Sequence, residues 1–136
     1  MKLLMIYADE FAYFTGQKNL KSVPEQDAHA RFSEAVVAFI HVEQEDEENE
    51  KSVIDKLVKN IKLLCGKLET KTVVLHSFAH LSESKAEPEF VRTVLDKAEK
   101  RLAKAGYNCA QTPFGYFLDL DMQAPGFSLA RVFKSF

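Results

Sequence analysis

The segment Thr72-Val73-Val74-Leu75-His76-Ser77-Phe78-Ala79-His80-Leu81-Ser82 joins a short apolar run to a loop of unusual composition. The β-branched and aliphatic residues at its start, Thr72 to Leu75, predict a buried strand. The loop that follows contains two histidines, two serines and a phenylalanine where turn residues would be expected. Loops at strand ends often carry the functional groups of α/β proteins, because the sheet holds them in place. The segment therefore predicts either a functional site or a buried pair of histidines that closes the strand.

Amphipathic helices are predicted on both sides of this strand. The first follows Asn49, a favourable N-cap residue, and repeats apolar residues at helical spacing as far as Leu68. The second begins at Pro88, which suits a first helical turn, and ends at Gly106, which suits a C-terminal cap. Lysine and arginine side chains occupy the outer face of both helices, where we predict that they are exposed to solvent. Each helix is therefore expected to pack its apolar face against a sheet.

Apolar and aromatic runs elsewhere predict the remaining strands. The strongest run is Val36 to Glu43, whose β-branched and aromatic residues indicate burial on both faces of the sheet. Other strand signals lie at residues 2–7, 11–14, 107–110, 113–122 and 127–133. The element order predicts an α/β fold in a single domain, with a mixed sheet and two main amphipathic helices.

Length, charge and cysteine usage set broad limits on function. The 136 residues suffice for one domain with its own core, and the net charge of -2 requires that any polyanionic partner bind to a local basic patch. Six acidic residues within residues 43–50 predict a solvated segment at an edge that RNA avoids. Cys65 falls on an apolar helix face and Cys109 in a strand, so no disulfide is expected. No signal peptide or membrane span is predicted, and we expect a cytoplasmic protein.

Several common chemistries lack their sequence signature. The five glycines are dispersed, so no glycine-rich phosphate loop is predicted, and no serine stands in a Gly-x-Ser-x-Gly turn. His76 and His80 are four residues apart, but no third ligand is evident, and we predict neither a metal nor another cofactor. Ser77 or Ser82 could pair with His80 as nucleophile and base, although a serine near a histidine is common by chance. The residues alone thus predict a pocket without a defined reaction.

Three stretches together resemble a known family. They are Val37-Ala38-Phe39-Ile40-His41-Val42-Glu43, Phe78-Ala79-His80-Leu81-Ser82 and Pro113-Phe114-Gly115-Tyr116. In this order and at this spacing they resemble the N-terminal editing domain of archaeal threonyl-tRNA synthetases. The resemblance extends over nearly the whole chain, from residues 3–9 to the final strand. It implies a D-aminoacyl-tRNA deacylase-like fold and a homodimer.

The resemblance implies a proofreading hydrolase. Members of this family remove serine that has been attached wrongly to threonine tRNA, by cutting its ester bond to the terminal adenosine. Serine lacks one methyl group of threonine, and this difference gives a synthetic site only ~1–3 kcal/mol of discrimination. The implied partner is therefore the 3′ end of threonine tRNA carrying serine. Residues 1–136 are expected to form the N-terminal editing domain of a longer synthetase, whose body acts in cis or in trans, and the end of the chain at Phe136 without a polar tail favours this reading.

The family also implies which positions form the site. Main-chain groups hold the aminoacyl group in the family, and the ribose 2′-hydroxyl of the terminal adenosine helps to activate water. Carried over to this chain, the catalytic positions are Ser77 and Ala79, through their main-chain groups, and His80, which lines the pocket. The substrate-binding positions are Val42, Phe114, Gly115, Tyr116, Phe117, Leu118 and Arg131.

Three positions depart from the family pattern. Phe117 and Leu118 stand where the family has tyrosine and lysine, and Arg131 aligns with a glutamate. If the family's side chains at these positions were its acid–base groups, this protein would be inactive, because a leucine side chain cannot transfer a proton. We favour hydrolysis by main-chain dipoles and the 2′-hydroxyl of the substrate, since oriented backbone groups stabilise an oxyanion without a particular side chain. Arg131 is expected either as a surface charge or as a contact to a tRNA phosphate.

Two alternatives remain open at this stage. The domain could be a non-catalytic module that binds tRNA or a protein, having lost the family's lysine at position 118. It could also be a D-aminoacyl-tRNA deacylase, because the fold is shared. Deacylation of any charged tRNA excludes the first alternative, and the preferred enantiomer of the amino acid tests the second.

Overall fold

A computed structural model describes all 136 residues, which form one sheet and two helices. The strands and helices, in chain order, are β1 (Lys2–Lys18), β2 (His29–His41), α1 (Glu50–Leu68), β3 (Thr72–Ser77), α2 (Pro88–Lys104), β4 (Asn108–Gln111), β5 (Tyr116–Gln123) and β6 (Arg131–Ser135). Short 3₁₀-helices occupy Gln44–Glu48 and Ser128–Ala130. This order confirms the predicted α/β domain with a mixed sheet and two amphipathic helices.

The sheet is parallel on one side and antiparallel on the other. Its strand order is β4-β3-β2-β1-β5, in which β2, β3 and β4 run parallel and β1 runs antiparallel to β2 and β5. The opposite edge of β1 is shared by two strands, because β6 pairs with residues 2–6 and β5 with residues 10–18. The helices connect parallel strands, as crossover segments usually do. The C-terminal ends of β2 and β3 therefore lie side by side.

Both helices pack against one face of the sheet. Their buried residues follow the helical spacing seen in the sequence and form one core with inward residues of β1, β2 and β3. Pro88 begins α2 as predicted, where the missing N–H costs no helical hydrogen bond. Gly106 follows the C-cap of α2 with φ +91°, a conformation that favours glycine. Neither helix combines the length and the apolar composition needed to cross a membrane.

Several predicted strand boundaries are wrong. Strand β2 begins at His29 and ends at His41, whereas the predicted strand is Val36 to Glu43. Residues 2–7 and 11–14 belong to one continuous strand, β1, because residues between them are paired on the sheet despite two acidic side chains. The predicted strand at 127–133 divides into a 3₁₀-helical turn at Ser128–Ala130 and strand β6 at Arg131–Ser135. In β1 tertiary pairing outweighs local propensity, and in the last predicted strand a local turn ends with the hydrogen bond from the Ala130 N–H to the Phe127 carbonyl oxygen.

The acidic segment that follows β2 is only partly solvated, which corrects the prediction for residues 43–50. Glu43 and Asp46 are buried, with 6% and 3% of their surface exposed, because the α-amino group of Met1 lies between them. That nitrogen is 2.8 Å from Glu43 Oε1 and 3.1 Å from Asp46 Oδ2. Ser82 Oγ donates to the other oxygen of Glu43 at 2.8 Å, so the cluster also holds the loop after β3. Asn49 occupies the N-cap position of α1, but its side chain makes no capping hydrogen bond.

The buried Glu43 carboxylate predicts a loss of stability in acid. Burial raises its pKa, but hydrogen bonds from the Met1 amino group, Ser82 and Lys2 outweigh burial and lower the pKa from 4.5 to about 2. A carboxylate with a lowered folded-state pKa stabilises the fold fully above its unfolded pKa, and this contribution is lost as the pH falls from about 4.5 towards 2. We expect Glu43→Gln to remove up to about 3 kcal/mol of this pH dependence, measured by chemical unfolding across that range.

The exposed neighbour Glu48 provides the control for this measurement. Glu48→Gln removes the same charge from the same segment, but Glu48 takes part in no ion pair. It is expected to keep the acid dependence of the parent protein. Equal pH profiles for the parent and Glu43→Gln would contradict the assigned role of the buried carboxylate.

Candidate functional site

A cavity of about 420 Å³ lies where β2 and β3 end, beside the first turns of α2. The end of β2 contributes Ile40 and Val42, and Pro88 and Val91 of α2 contribute a second side. The end of β3 with the loop after it, the segment between β4 and β5, the first residues of β5 and the loop after β1 form the rest of its wall. The cavity thus occupies the carboxyl ends of adjacent parallel strands, a common position for a ligand site in α/β proteins.

The structure brings together nine of the ten positions that the resemblance assigns to the site. The cavity-lining positions among them are Val42, Ser77, Ala79, His80, Phe114, Gly115, Tyr116, Phe117 and Leu118. Arg131 is not among the lining residues. It lies opposite Ile6 at the start of β6, where its Nη1 donates to the carbonyl oxygen of Pro125 at 2.6 Å. The functional role of each position stays a prediction.

His80 lies exposed at the rim of the cavity among aromatic rings. Its ring centroid is 4.8 Å from that of Phe78, in an edge-on arrangement, and 6.4 Å from that of Phe117. No side-chain hydrogen bond orients its imidazole. Phe117 therefore contributes an aromatic surface at the position where the family has a tyrosine.

His76 is a second histidine of the cavity, and it is buried. Only 6% of its surface is exposed, its Nδ1 lies 2.9 Å from Thr112 Oγ1, and its ring contacts Phe39 edge-on. Burial, together with the nearby His80, lowers the pKa of His76 from 6.5 to about 4. The imidazole is consequently neutral at physiological pH. His76 lines the cavity although it is not one of the site positions that the resemblance implies.

His41, at the end of β2, holds the loop that carries the predicted catalytic positions. The main-chain N–H of Leu81 donates to its Nδ1 at 2.9 Å, so the ring proton lies on Nε2, which donates to the carbonyl oxygen of Ser84 at 2.7 Å. The side chain is 1% exposed. This role could not be predicted from the sequence, because the partners of His41 lie about 40 residues further along the chain. The only sequence signal for His41 was its position within the first of the three family stretches.

The opposite wall of the cavity is also fixed by hydrogen bonds. The Tyr116 hydroxyl donates to the carbonyl oxygen of Pro24 at 2.5 Å and accepts from the main-chain N–H of Gln26 at 2.9 Å. Its hydroxyl therefore anchors the loop between β1 and β2. Gly115 accepts main-chain hydrogen bonds from Asn19 and Leu20 and has φ +84°. Tyr116 therefore fixes this wall through its hydroxyl, and Gly115 does so through its carbonyl oxygen.

The cavity offers main-chain donors and imidazoles for chemistry. The main-chain N–H groups of Ala79 and His80 donate to no acceptor within the protein. No Asp, Glu or Cys lines the cavity, and the chain holds no group of three His, Cys, Asp or Glu side chains arranged for a metal ion. Free N–H groups at a fixed loop are suited to stabilising an oxyanion that forms when water attacks a carbonyl group.

Comparison with known families gives a match over the whole chain. Residues 1–136 match the model of the archaea-specific editing domain of threonyl-tRNA synthetase. Over 138 aligned residues, the chain is 32% identical to threonine–tRNA ligase of Thermococcus onnurineus, 32% to that of Pyrococcus horikoshii and 33% to that of Methanosphaera stadtmanae. Each alignment covers 99% of this chain and 22% of the relative, so the chain spans about a fifth of these ligases.

A solved structure with the same fold is similar over almost its full length. The c-Myc DNA Unwinding Element Binding Protein superposes with a TM-score of 0.73, covering 99% of this chain and 98% of that one. At 12% sequence identity this likeness concerns the fold alone. The fold is the D-aminoacyl-tRNA deacylase-like fold that the sequence resemblance implied. The match along residues 1–136 identifies the chain as a member of the family of archaea-specific editing domains of threonyl-tRNA synthetase.

Proposed function

We propose that the domain hydrolyses L-serine from threonine tRNA mischarged with it. The observation that carries the proposal is the meeting of the family motifs in one cavity, with two unpaired main-chain N–H groups on the loop between β3 and α2. An aminoacyl ester is the substrate class that such donors suit, since its carbonyl oxygen gains negative charge as water adds.

The proposed mechanism relies on main-chain groups and on the substrate itself. Water attacks the ester carbonyl carbon, and the N–H groups of Ala79 and His80 donate to the resulting oxyanion. The 2′-hydroxyl of the terminal ribose helps to take the proton from water and to pass it to the neighbouring 3′-oxygen. Breaking of the ester bond then releases serine and the free 3′-hydroxyl of the tRNA. The residues Phe117, Leu118 and Arg131 transfer no proton in this scheme, which accommodates their departure from the family pattern.

The proposed context is a longer synthetase. We propose that residues 1–136 act as its N-terminal editing domain and receive the 3′ end of threonine tRNA from a synthetase body in cis or in trans. The fraction of the ligases that the chain spans supports this arrangement. A homodimer is also proposed from the family resemblance, and Phe133, a large apolar side chain exposed on β6, is available for it.

The test is deacylation of L-seryl-tRNA(Thr) by the domain, with L-threonyl-tRNA(Thr) measured alongside. We expect loss of serine and retention of threonine. In the same assay His80→Ala is expected to slow hydrolysis by less than about tenfold, because His80 makes no hydrogen bond that would orient it for proton transfer. Removal of a true general acid–base group would cost about 10²–10⁴ in rate.

Three results would change the proposal. A folded sample that binds tRNA but hydrolyses neither ester would overturn the enzymatic function and leave a binding module. Faster hydrolysis of a D-aminoacyl-tRNA than of L-seryl-tRNA(Thr) would assign the domain to D-aminoacyl-tRNA deacylation. A rate abolished by His80→Ala would place the histidine, and not the main chain, at the centre of the chemistry.

A further inference from the structure

The two helices carry a charge opposite to that of the rest of the protein. Within Glu50–Leu68 and Pro88–Lys104 there are ten lysines and arginines and five acidic residues, a formal charge of +5. Because the whole chain has a net charge of -2, the remaining 100 residues carry -7. A near-neutral total thus conceals a strongly basic helical layer. Such segregation creates a local field that attracts polyanions even when the net charge is negative.

The basic charge is concentrated in a groove between the helices. This groove, of about 710 Å³, is lined by five basic side chains, Lys51, Lys97, Lys100, Arg101 and Lys104, against two acidic ones, Glu50 and Asp55. We define it by these residues and call it the helix groove. Only one of its lining residues, Ile54, is hydrophobic. Its chemistry therefore suits a charged ligand and not an apolar one.

Ion pairs use both acids of the helix groove and leave two lysines unpaired. Lys97 contacts Glu50 at 2.8 Å, and Lys51 and Arg101 contact Asp55 at 2.9 Å and 2.6 Å. Lys100 and Lys104 have no acidic partner. The existing pairs are solvent-exposed and so contribute only about 0–1 kcal/mol each. A phosphate could therefore recruit their basic members at little cost.

We propose that the helix groove binds phosphates of the tRNA whose acylated end occupies the cavity. This inference rests on the proposed editing function, since that function supplies the polyanion. Helix α2 links the two places: Val91 lines the cavity, and Lys100 and Lys104 lie 9 and 13 residues further along the same helix. At 1.5 Å per residue these lysines are roughly 14–20 Å from the cavity wall along the helix axis. A tRNA that extends from the cavity along α2 therefore meets the helix groove.

The test measures binding of uncharged tRNA(Thr) to the 136-residue protein as a function of salt concentration. Lys100→Glu combined with Lys104→Glu is expected to weaken binding about tenfold or more at low salt. The slope of log Kd against log salt is expected to fall by about two, one for each lost phosphate contact. Lys100→Gln with Lys104→Gln removes the charges without reversing them, and it should lower the slope by the same amount with a smaller loss of affinity.

Lys134 on β6 provides the control, because it is exposed and takes part in no ion pair. Lys134→Glu should reproduce the affinity and the salt slope of the parent protein. An equal affinity and slope for the Lys100/Lys104 variants and this control would overturn the helix groove as an RNA site.

The readout needs no hydrolysis, so a protein that binds through the two lysines but leaves seryl-tRNA intact would refute editing alone. A protein that edits while the lysine variants bind normally would refute the groove alone.

Discussion

Replacing His41 with phenylalanine is expected to reduce deacylation at least about 100-fold and to destabilise the domain by about 2–4 kcal/mol. The side chain is buried, and its two ring nitrogens hold the main chain at Leu81 and Ser84. Phenylalanine fills a similar volume but leaves both main-chain groups without their partner. The loop that presents Ala79 and His80 then loses its fixed position, and a displacement of about 1 Å is sufficient to cost a factor of 10² in rate.

A matched substitution lies on the same strand. His29 is exposed at the start of β2, stacks on Phe14 at 5.4 Å and makes no hydrogen bond through its ring. His29→Phe is expected to change stability by less than about 0.5 kcal/mol. His41→Gln retains one donor and one acceptor and should recover part of the activity. If His41→Phe were as active as His29→Phe in the seryl-tRNA assay, the loop would not depend on His41.

Gly115→Ala is expected to destabilise the domain by about 2–4 kcal/mol and to impair hydrolysis through the wall of the cavity. Two costs contribute. The residue has φ +84°, which an L side chain rarely adopts, and an added Cβ would lie 2.7 Å from Cγ1 of Val23. Relief of this overlap would shift either Val23 or the main chain of residues 113–117, and Gly115 also accepts the hydrogen bonds that fix the loop after β1.

Two further variants separate the costs. Gly106→Ala places the same side chain at φ +91° with no atom within 4 Å, so it measures the backbone strain alone, about 1–2 kcal/mol. Val23→Ala in the Gly115→Ala background removes the overlapping methyl groups and should restore part of the stability and activity. Thermal unfolding and the seryl-tRNA assay report the two effects. A Gly115→Ala protein no less stable than Gly106→Ala would show that Val23 moves aside freely.

The sequence predicts the helices and the parallel strands well because their signals are local. The apolar spacing of α1 and α2, Pro88 at a first turn and Gly106 after a helix end each depend on a few neighbouring residues. The continuity of β1 depends on partners far along the chain, since pairing with β2 and β5 holds Glu10 in a strand that its own propensity disfavours. Burial of Glu43 and Asp46 likewise requires the amino group of Met1, which no local pattern in an acidic run reveals.

Some features of the candidate site could likewise be predicted from the sequence, whereas others depend on contacts between distant residues. Motif resemblance located the cavity-lining positions, because the three stretches retain their order and spacing. The hydrogen bonds of His41 and the pairing of His76 with Thr112 join residues about 40 positions apart, so only the folded chain shows them. Arg131 was aligned by position along the final strand, but its side chain turns to Pro125 and stays apart from the cavity.

One edge of β1 is covered by β5 and β6, which are synthesised long after β1 itself. Residues 2–6 pair with residues 131–135, so this part of β1 waits until β6 has been synthesised before its edge is covered. At about 5–20 residues per second this interval is on the order of ten seconds. Throughout it, an apolar strand offers unpaired main-chain groups to any other nascent chain. Arrest or slow translation between β2 and β6 should therefore favour aggregation through this edge, and a chaperone that shields β1 would protect the domain most during that interval.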